Sequence, residues 1–257
     1  MTPLKIIEEE LRGIALPPLT RPGVGPDDDP TEELVRWGTA MYVYSSVAHM
    51  RAILAGLVVL TDIGNTSTAD VVCRHVFEWA AQACFMKRNL TQHFANNDWR
   101  LAFDLLLKAD GGNRWIRNHR HKYDALPLPD DRRMPVRVNK LIDAYDEYQA
   151  EEYGEGDAKD AYGFLSEHSH ASGACFLQYR EISGAEVRFI SPAESCCLPS
   201  ANRSLIEWVV FMHGLLGLAT ETAVRGELLG ILSRVAKSAG TRAGDWVGRT
   251  PSNCDGG

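Results

Sequence analysis

The sequence lacks the features that mark exported and membrane proteins. Its first residues run directly into three glutamates at 8–10, without the basic-then-apolar order of a secretion signal. The most apolar stretch, 205–220, is interrupted by Glu207 and His213 and is shorter than the roughly 20 residues of a membrane-spanning helix. We therefore expect a cytoplasmic protein without a membrane partner, in which 205–220 forms a buried core helix.

Common catalytic motifs and repeats are also lacking. The chain has no glycine loop that would cradle phosphate, no GxSxG turn and no internal repeat of roughly 20 to 50 residues. These absences argue against nucleotide-triphosphate enzymes, α/β-hydrolases and solenoids. With 257 residues, 45% of them hydrophobic, the chain is large enough to bury one core without disulfides or metals.

Cysteine is scarce, since six residues are dispersed over the chain without the density of a disulfide framework. We expect thiols, with Cys73 and Cys84 as small core residues. The adjacent Cys196 and Cys197 have two interpretations: a pair of buried or loop thiols, which is favoured, or an oxidisable or metal-binding pair. The Glu-x-x-His at 167–170 lacks the second copy that di-iron bundles need. No metal and no cofactor is therefore expected.

The charge pattern is uneven. A formal charge of −7 argues against a protein that coats nucleic acid by bulk electrostatics. Residues 113–140 nevertheless hold six Arg and two Lys against three Asp. Arg117 and Arg120 lie there among aromatic side chains, a combination that can contact phosphate and stack on RNA bases. The alternative is a solvated basic segment.

Hydrophobic periodicity predicts an all-α helical bundle with one short β-hairpin. The N-terminal part, 1–30, combines a helix (5–16) with a proline-rich strap, and the bundle covers 31–238. The tail, 239–257, should be disordered. The predicted bundle helices are 31–63, 66–89, 97–108, 136–153, 158–170 and a last helix that begins at 205, whose continuation to 235 is left open. The hairpin lies at about 176–190.

Polar residues at helical spacing form the first candidate site. Tyr162, Ser166 and His170 follow one another at intervals of four, which places them on one helix face. Arg74 and Glu78 lie one turn apart on an earlier helix. Such groups can bind an anion and move protons. The alternatives are a hydrogen-bonded seam that braces the bundle, and for the Arg–Glu pair a surface ion pair.

A second candidate is the string Arg88-Asn89-x-x-x-His93. Arginine can neutralise a phosphate while histidine transfers a proton during RNA cleavage. The favoured alternative is a chance match, in which Arg88 and Asn89 end a helix and His93 is exposed to solvent.

These residues resemble a known family. The Arg-x-x-x-Glu at 74–78, the Tyr-x-x-x-Ser-x-x-x-His at 162–170 and the following hairpin are similar to the DUF5677-type proteins, which look like relatives of the HEPN superfamily. The resemblance covers 34–224 and is most specific at 165–170. It implies a helical bundle, dimerisation and, as in many HEPN proteins, metal-independent RNA cleavage by an Arg–His motif at the dimer interface.

Two functional hypotheses follow. The first is a HEPN-like ribonuclease or RNA-directed defence protein, in which RNA is the partner and Arg, Glu and His side chains do the chemistry. The second is a non-catalytic interaction module that binds a second copy or another protein. The candidate catalytic residues are Arg88, His93, His170, Arg74 and Glu78, and the candidate substrate-binding residues are Asn89, Tyr162, Ser166, Arg117 and Arg120.

Overall fold

The structure is a computed structural model that describes residues 2–23, 29–111, 136–169, 180–183, 186–189 and 195–240. These residues form eight helices and one antiparallel two-stranded hairpin, which confirms the predicted helical bundle with a short hairpin. The helices are α1 (Pro3–Gly13), α2 (Glu32–Asp62), α3 (Thr66–Asn96), α4 (Trp99–Gly111), α5 (Val138–Tyr153), α6 (Ala158–Ser169), α7 (Leu198–Leu218) and α8 (Ala223–Ser238). The strands are β1 (Arg180–Ser183) and β2 (Glu186–Phe189).

Helices α2 and α3 form the antiparallel hairpin that the sequence predicted. Thr31 caps α2, because its hydroxyl accepts a hydrogen bond from the backbone N–H of Leu34 at 3.2 Å. The chain then turns at Gly64, whose φ of 69° is favourable for glycine. Asn65 caps α3 in the same way, with its side chain accepting from the N–H of Thr68 at 3.2 Å.

Helix α3 is about two turns longer than the predicted 66–89. It continues to Asn96 because Leu90 still lies in the core, fully buried. The helix stops where Asn97 takes the left-handed conformation, with φ of 56°. His93 is therefore part of the helix.

Helix α1 is shorter than predicted, because it ends at Gly13 instead of residue 16. The guanidinium of Arg51 on α2 donates hydrogen bonds to carbonyls at the end of α1. Its Nε lies 2.6 Å from the Leu11 oxygen, and its Nη2 donates to the Ile14 oxygen. The apolar face of α1 is buried, and it packs on α2, α7 and α8.

The helix that the sequence predicted from 205 does not continue to 235, because the chain forms two helices there. Thr220, with φ of 57°, interrupts the backbone after α7, and the Glu221 carboxylate then caps α8 by accepting from the N–H groups of Ala223 at 3.0 Å and Val224 at 3.1 Å. The apolar stretch itself is buried, as predicted, including Trp208, which is fully inaccessible.

The core surrounds α3, which packs against α2, α4, α5, α6 and α7. Cys73 and Cys84 lie buried on it, as expected for small core thiols. The largest fully buried side chains of the described residues include Trp208, Tyr145, Phe77, Phe211, Met86 and Leu90. Polar residues described below that lie on α3 include Asp70, Arg74, His75, Glu78, Arg88 and His93.

Candidate functional site

Three of the predicted site residues meet between α3 and α6. Arg74 Nε lies 3.0 Å from Glu78 Oε1, and Arg74 Nη2 donates to the Tyr162 hydroxyl at 2.9 Å. Tyr162 in turn donates to Glu78 Oε1 at 3.2 Å. We call Arg74, Glu78 and Tyr162 the polar seam. Each of its members is hydrogen-bonded to the other two.

The polar seam is half-buried, with the Arg74 and Glu78 side chains 22% and 30% exposed. Burial by itself would lower the pKa of Arg74, but the hydrogen bond to Tyr162 and the charge of Glu78 outweigh it and raise that pKa. The guanidinium therefore stays charged, and it also lies over the Tyr162 ring, 5.2 Å from its centre. The pair is more enclosed than an ordinary surface ion pair.

Removing one hydroxyl should test how tightly the polar seam is coupled. We expect Tyr162→Phe to lower the free energy of unfolding by about 0.5–1.5 kcal/mol, because the hydroxyl bridges Arg74 and Glu78. Urea unfolding of Tyr162→Phe, Glu78→Gln and the double variant forms a double-mutant cycle. Strictly additive losses would contradict the coupling.

Ser166, the next predicted member, is half-buried on α6 one turn after Tyr162. His170 lies outside the described residues, and so do Arg117 and Arg120. Their places in the site stay predictions.

Arg88 is held by two carboxylates of α5. Its Nη1 lies 2.8 Å from Glu147 Oε2 and its Nη2 lies 3.2 Å from Glu151 Oε1. All three side chains are about half exposed. In this arrangement the charge of Arg88 is balanced by its neighbours, and the side chain links α3 to α5.

The other two members of the Arg-Asn-x-x-x-His string face elsewhere. Asn89 donates to the carbonyl of Phe85 in its own helix at 2.8 Å. His93 Nδ1 lies 4.0 Å from the Asp98 carboxylate. Residues five positions apart on an α-helix are turned about 140° from each other, so Arg88 and His93 do not converge within one copy of the described chain.

A group of residues that were not predicted to meet surrounds Asp70, which lies one turn before Arg74 on α3. Asp70 is fully buried. The Ser195 hydroxyl donates to its Oδ1, and Cys196 Sγ lies 3.8 Å from its Oδ2. Cys197 Sγ is 3.9 Å from Cys196 Sγ. With His168 from the end of α6, we call Asp70, His168, Cys196 and Cys197 the thiol cluster.

The ligand atoms of three of its members, His168, Cys196 and Cys197, lie within 4.8 Å of one another. Burial raises the pKa of the Cys196 and Cys197 thiols, and the nearby Asp70 charge raises both further. The cluster joins parts of the chain that are far apart in sequence, and no spacing rule connects a histidine on one helix to cysteines 28 and 29 residues later. Only the fold shows that they meet.

A pair of histidines bridges α2 and α3 near the surface. Trp79 Nε1 donates to His75 Nε2 at 3.1 Å, and His49 Nε2 lies 3.2 Å from the same nitrogen. Because His75 Nε2 accepts from Trp79, the hydrogen in the second contact belongs to His49. Burial, and secondly the neighbouring His75, lower the pKa of His49.

This histidine pair predicts acid sensitivity. A histidine whose pKa is lower in the folded than in the unfolded chain binds protons preferentially when unfolded, so its contribution to stability is lost as the pH falls below about 6.5 and through the folded pKa. We expect the unfolding free energy of the wild type to fall more than that of His49→Asn between about pH 7.5 and pH 5. His213, whose pKa is also lowered, is common to both proteins. Parallel pH curves would exclude a role for the pair.

Comparisons of the chain with protein-family models, with curated proteins and with solved structures found no match. The resemblance to DUF5677-type and HEPN proteins therefore stays a prediction.

Proposed function

We propose that this chain is a non-catalytic interaction module that pairs with a second copy of itself through the outer face of the α2–α3 hairpin. The observation that carries the proposal is a group of exposed apolar side chains on this hairpin. Val59 on α2 and Ile63 directly after α2 are 57% and 69% exposed, and Val71 on α3 is 47% exposed. Contiguous exposed apolar side chains are typical of interaction sites.

Small residues extend this surface along α2. Ala48, Ala52, Ala55 and Gly56 are exposed and recur at helical spacing with Val59. The contact between His49 and His75 sets the register of the hairpin, so that Val71 lies beside this stripe. We define the hairpin face as Ala48, Ala52, Ala55, Gly56, Val59, Ile63 and Val71.

A second copy fits the hairpin face because a two-fold axis would place the same small and apolar residues against each other. Helix α2 is also long and apolar enough to cross a membrane by length and composition, although a core helix of a soluble protein meets the same criteria. In the most apolar window of α2, 39% of the residues are buried. The opposite face of the helix packs in the core, where side chains such as Leu54 and Leu57 are fully buried.

The polar residues support a bracing role. Arg74 is engaged by Glu78 and Tyr162, and Arg88 by Glu147 and Glu151. Each arginine thus links α3 to a neighbouring helix. This use of the guanidinium groups favours a scaffold over an anion-binding centre.

Sedimentation velocity over a range of concentrations tests the proposal. We expect a wild-type dimer and a monomeric Val59→Glu variant, because the new carboxylate would be buried without a partner in the dimer. Leu101→Glu is the matched control: Leu101 is 53% exposed on α4, away from the hairpin face, and this variant should remain dimeric. A monomeric wild type, or a Val59→Glu variant that dimerises like the wild type, would overturn the proposal.

Two further assays separate the alternatives. Incubation with total RNA should leave the RNA intact, whereas cleavage that His93→Ala or His170→Ala abolishes would establish the ribonuclease hypothesis instead. Flotation with neutral phosphatidylcholine vesicles should recover no protein. Vesicle binding that Val59→Glu removes, without a dimer in solution, would assign the hairpin face to a lipid surface.

A further inference from the structure

We propose that the thiol cluster, Asp70, His168, Cys196 and Cys197, binds one thiophilic divalent cation, with Zn²⁺ as the metal. The inference is independent of the proposed dimer, because the thiol cluster lies between α3, the end of α6 and the turn before α7, while the hairpin face is on the outer side of α2 and α3.

The separations fit a tetrahedral zinc site. With Zn–S bonds of about 2.3 Å, two thiolates on one zinc lie about 3.8 Å apart, and the two sulfurs here are 3.9 Å apart. A carboxylate oxygen and a thiolate on the same zinc are about 3.5 Å apart, and Cys196 Sγ lies 3.8 Å from Asp70 Oδ2. Since the His168 ligand atom is within 4.8 Å of both sulfurs, closing the site requires shifts of about 1 Å.

His168 is oriented as metal-bound histidines are. Its Nδ1 lies 2.9 Å from the carbonyl of Phe164, one turn back in α6. Donation from Nδ1–H to that carbonyl fixes the tautomer that has its lone pair on Nε2, which is the nitrogen left to ligate a metal. Ser195 plays the same supporting part for Asp70, since its hydroxyl donates to one carboxylate oxygen and leaves the other beside Cys196.

The charges of the thiol cluster favour a cation. Asp70 is fully buried, and in the described part of the chain it has no ion pair with a Lys, Arg or His side chain. A buried carboxylate without a counter-charge is costly. Binding Zn²⁺ would release the two thiol protons to solvent, giving two thiolates, one carboxylate and one neutral imidazole around the ion and a net charge of −1.

The chemical softness of the ligands indicates which kind of metal the site would bind. Two sulfur ligands and one imidazole favour Zn²⁺ over Mg²⁺ or Ca²⁺, which prefer oxygen. With four protein ligands the site would be closed, so its role would be to clamp α3, α6 and α7 together.

Metal analysis and cobalt substitution of the reduced full-length chain test the proposal. We expect the purified protein to hold one zinc per chain. After chelation, Co²⁺ should give the intense visible bands of a tetrahedral thiolate complex, and Zn²⁺ should remove them. Cys196→Ser, Cys197→Ser and His168→Gln should each lose those bands. Ser195→Ala should bind Zn²⁺ about 10-fold or more weakly, because it removes the support of Asp70.

Matched controls guard against misfolding. Cys84→Ser and His75→Gln replace a thiol and an imidazole outside the thiol cluster and should keep the cobalt spectrum. Cys196 is exposed, so Cys196→Ser should fold, which circular dichroism checks. In the wild type, Zn²⁺ should raise the melting temperature, and that rise should vanish in Cys196→Ser.

Three results would overturn the site: no zinc and no thiolate bands in the reduced wild type, bands that persist in both cysteine variants, or a Cys196–Cys197 disulfide in place of metal binding. None of them bears on the dimer, because the Val59→Glu and Leu101→Glu comparison uses no metal.

Discussion

Phe77→Ala is expected to lower the free energy of unfolding by about 3–5 kcal/mol, the largest effect among the substitutions considered. Phe77 is 1% exposed on α3. Its ring centre lies 5.3 Å from that of Tyr145 on α5 and 6.1 Å from that of Tyr162 on α6. Truncation would therefore leave a cavity where three helices meet, below the polar seam.

Urea unfolding followed by circular dichroism measures this loss. Leu101→Ala, at an exposed apolar position on α4 outside the hairpin face, should change stability by less than about 0.5 kcal/mol. A loss below about 1 kcal/mol in Phe77→Ala would mean that the site collapses around the smaller side chain, contrary to the packing described above.

Tyr145→Phe is expected to cost about 1–3 kcal/mol, although it removes a single oxygen atom. The buried Tyr145 hydroxyl donates to Glu207 Oε2 and lies 3.4 Å from Ser204 Oγ. Glu207 is 4% exposed, and its other oxygen accepts from Arg203 Nε at 3.3 Å. Without Tyr145, the buried carboxylate loses a donor that water cannot replace.

The same variant should have a characteristic pH dependence. Burial raises the pKa of Glu207, whereas the hydrogen bond from Tyr145 acts in the opposite direction. A carboxyl with a raised folded pKa stabilises the fold below its unfolded pKa of about 4.5 and loses that contribution as the pH rises through the folded pKa. Because Tyr145→Phe would raise this pKa further, its deficit relative to wild type should be larger at neutral pH than at about pH 4.

Tyr148→Phe is the matched control on α5. Tyr148 is half-buried, and its hydroxyl forms no hydrogen bond with the other described residues. Its removal should be nearly neutral at both pH values. Equal losses in the two tyrosine variants would show that the Glu207 contact is unimportant.

Most of the helical architecture could be predicted from the sequence, because the residues that start and end helices act locally. Thr31 with two following glutamates marks the start of α2, and Gly64 marks its turn. Errors occurred where the signal depends on packing. The end of α3 depends on whether Leu90 is buried, and the break between α7 and α8 depends on the left-handed Thr220 and on the Glu221 side chain reaching back to the next backbone.

The candidate sites show the same difference between contacts that are local in sequence and contacts that depend on packing. Arg74 and Glu78 share one helix face, so their pairing could be predicted from spacing, and the predicted polar seam also included Tyr162, which contacts both residues. The thiol cluster was not predicted, because Asp70 and the two cysteines come together only after α3 and α7 have packed. Tertiary proximity of this kind leaves no periodic trace in a single sequence.

The contact between Arg51 and the end of α1 limits how far the chain can be shortened from its N-terminal side without destabilising the fold. A fragment starting at residue 31, at the predicted boundary of the bundle, would lose the buried side chains of Leu4, Ile7 and Leu11. It would also leave the Arg51 guanidinium without the carbonyls of Leu11 and Ile14. The first helix is thus a covering element of the core, and shortened expression fragments should retain it even where the strap is trimmed.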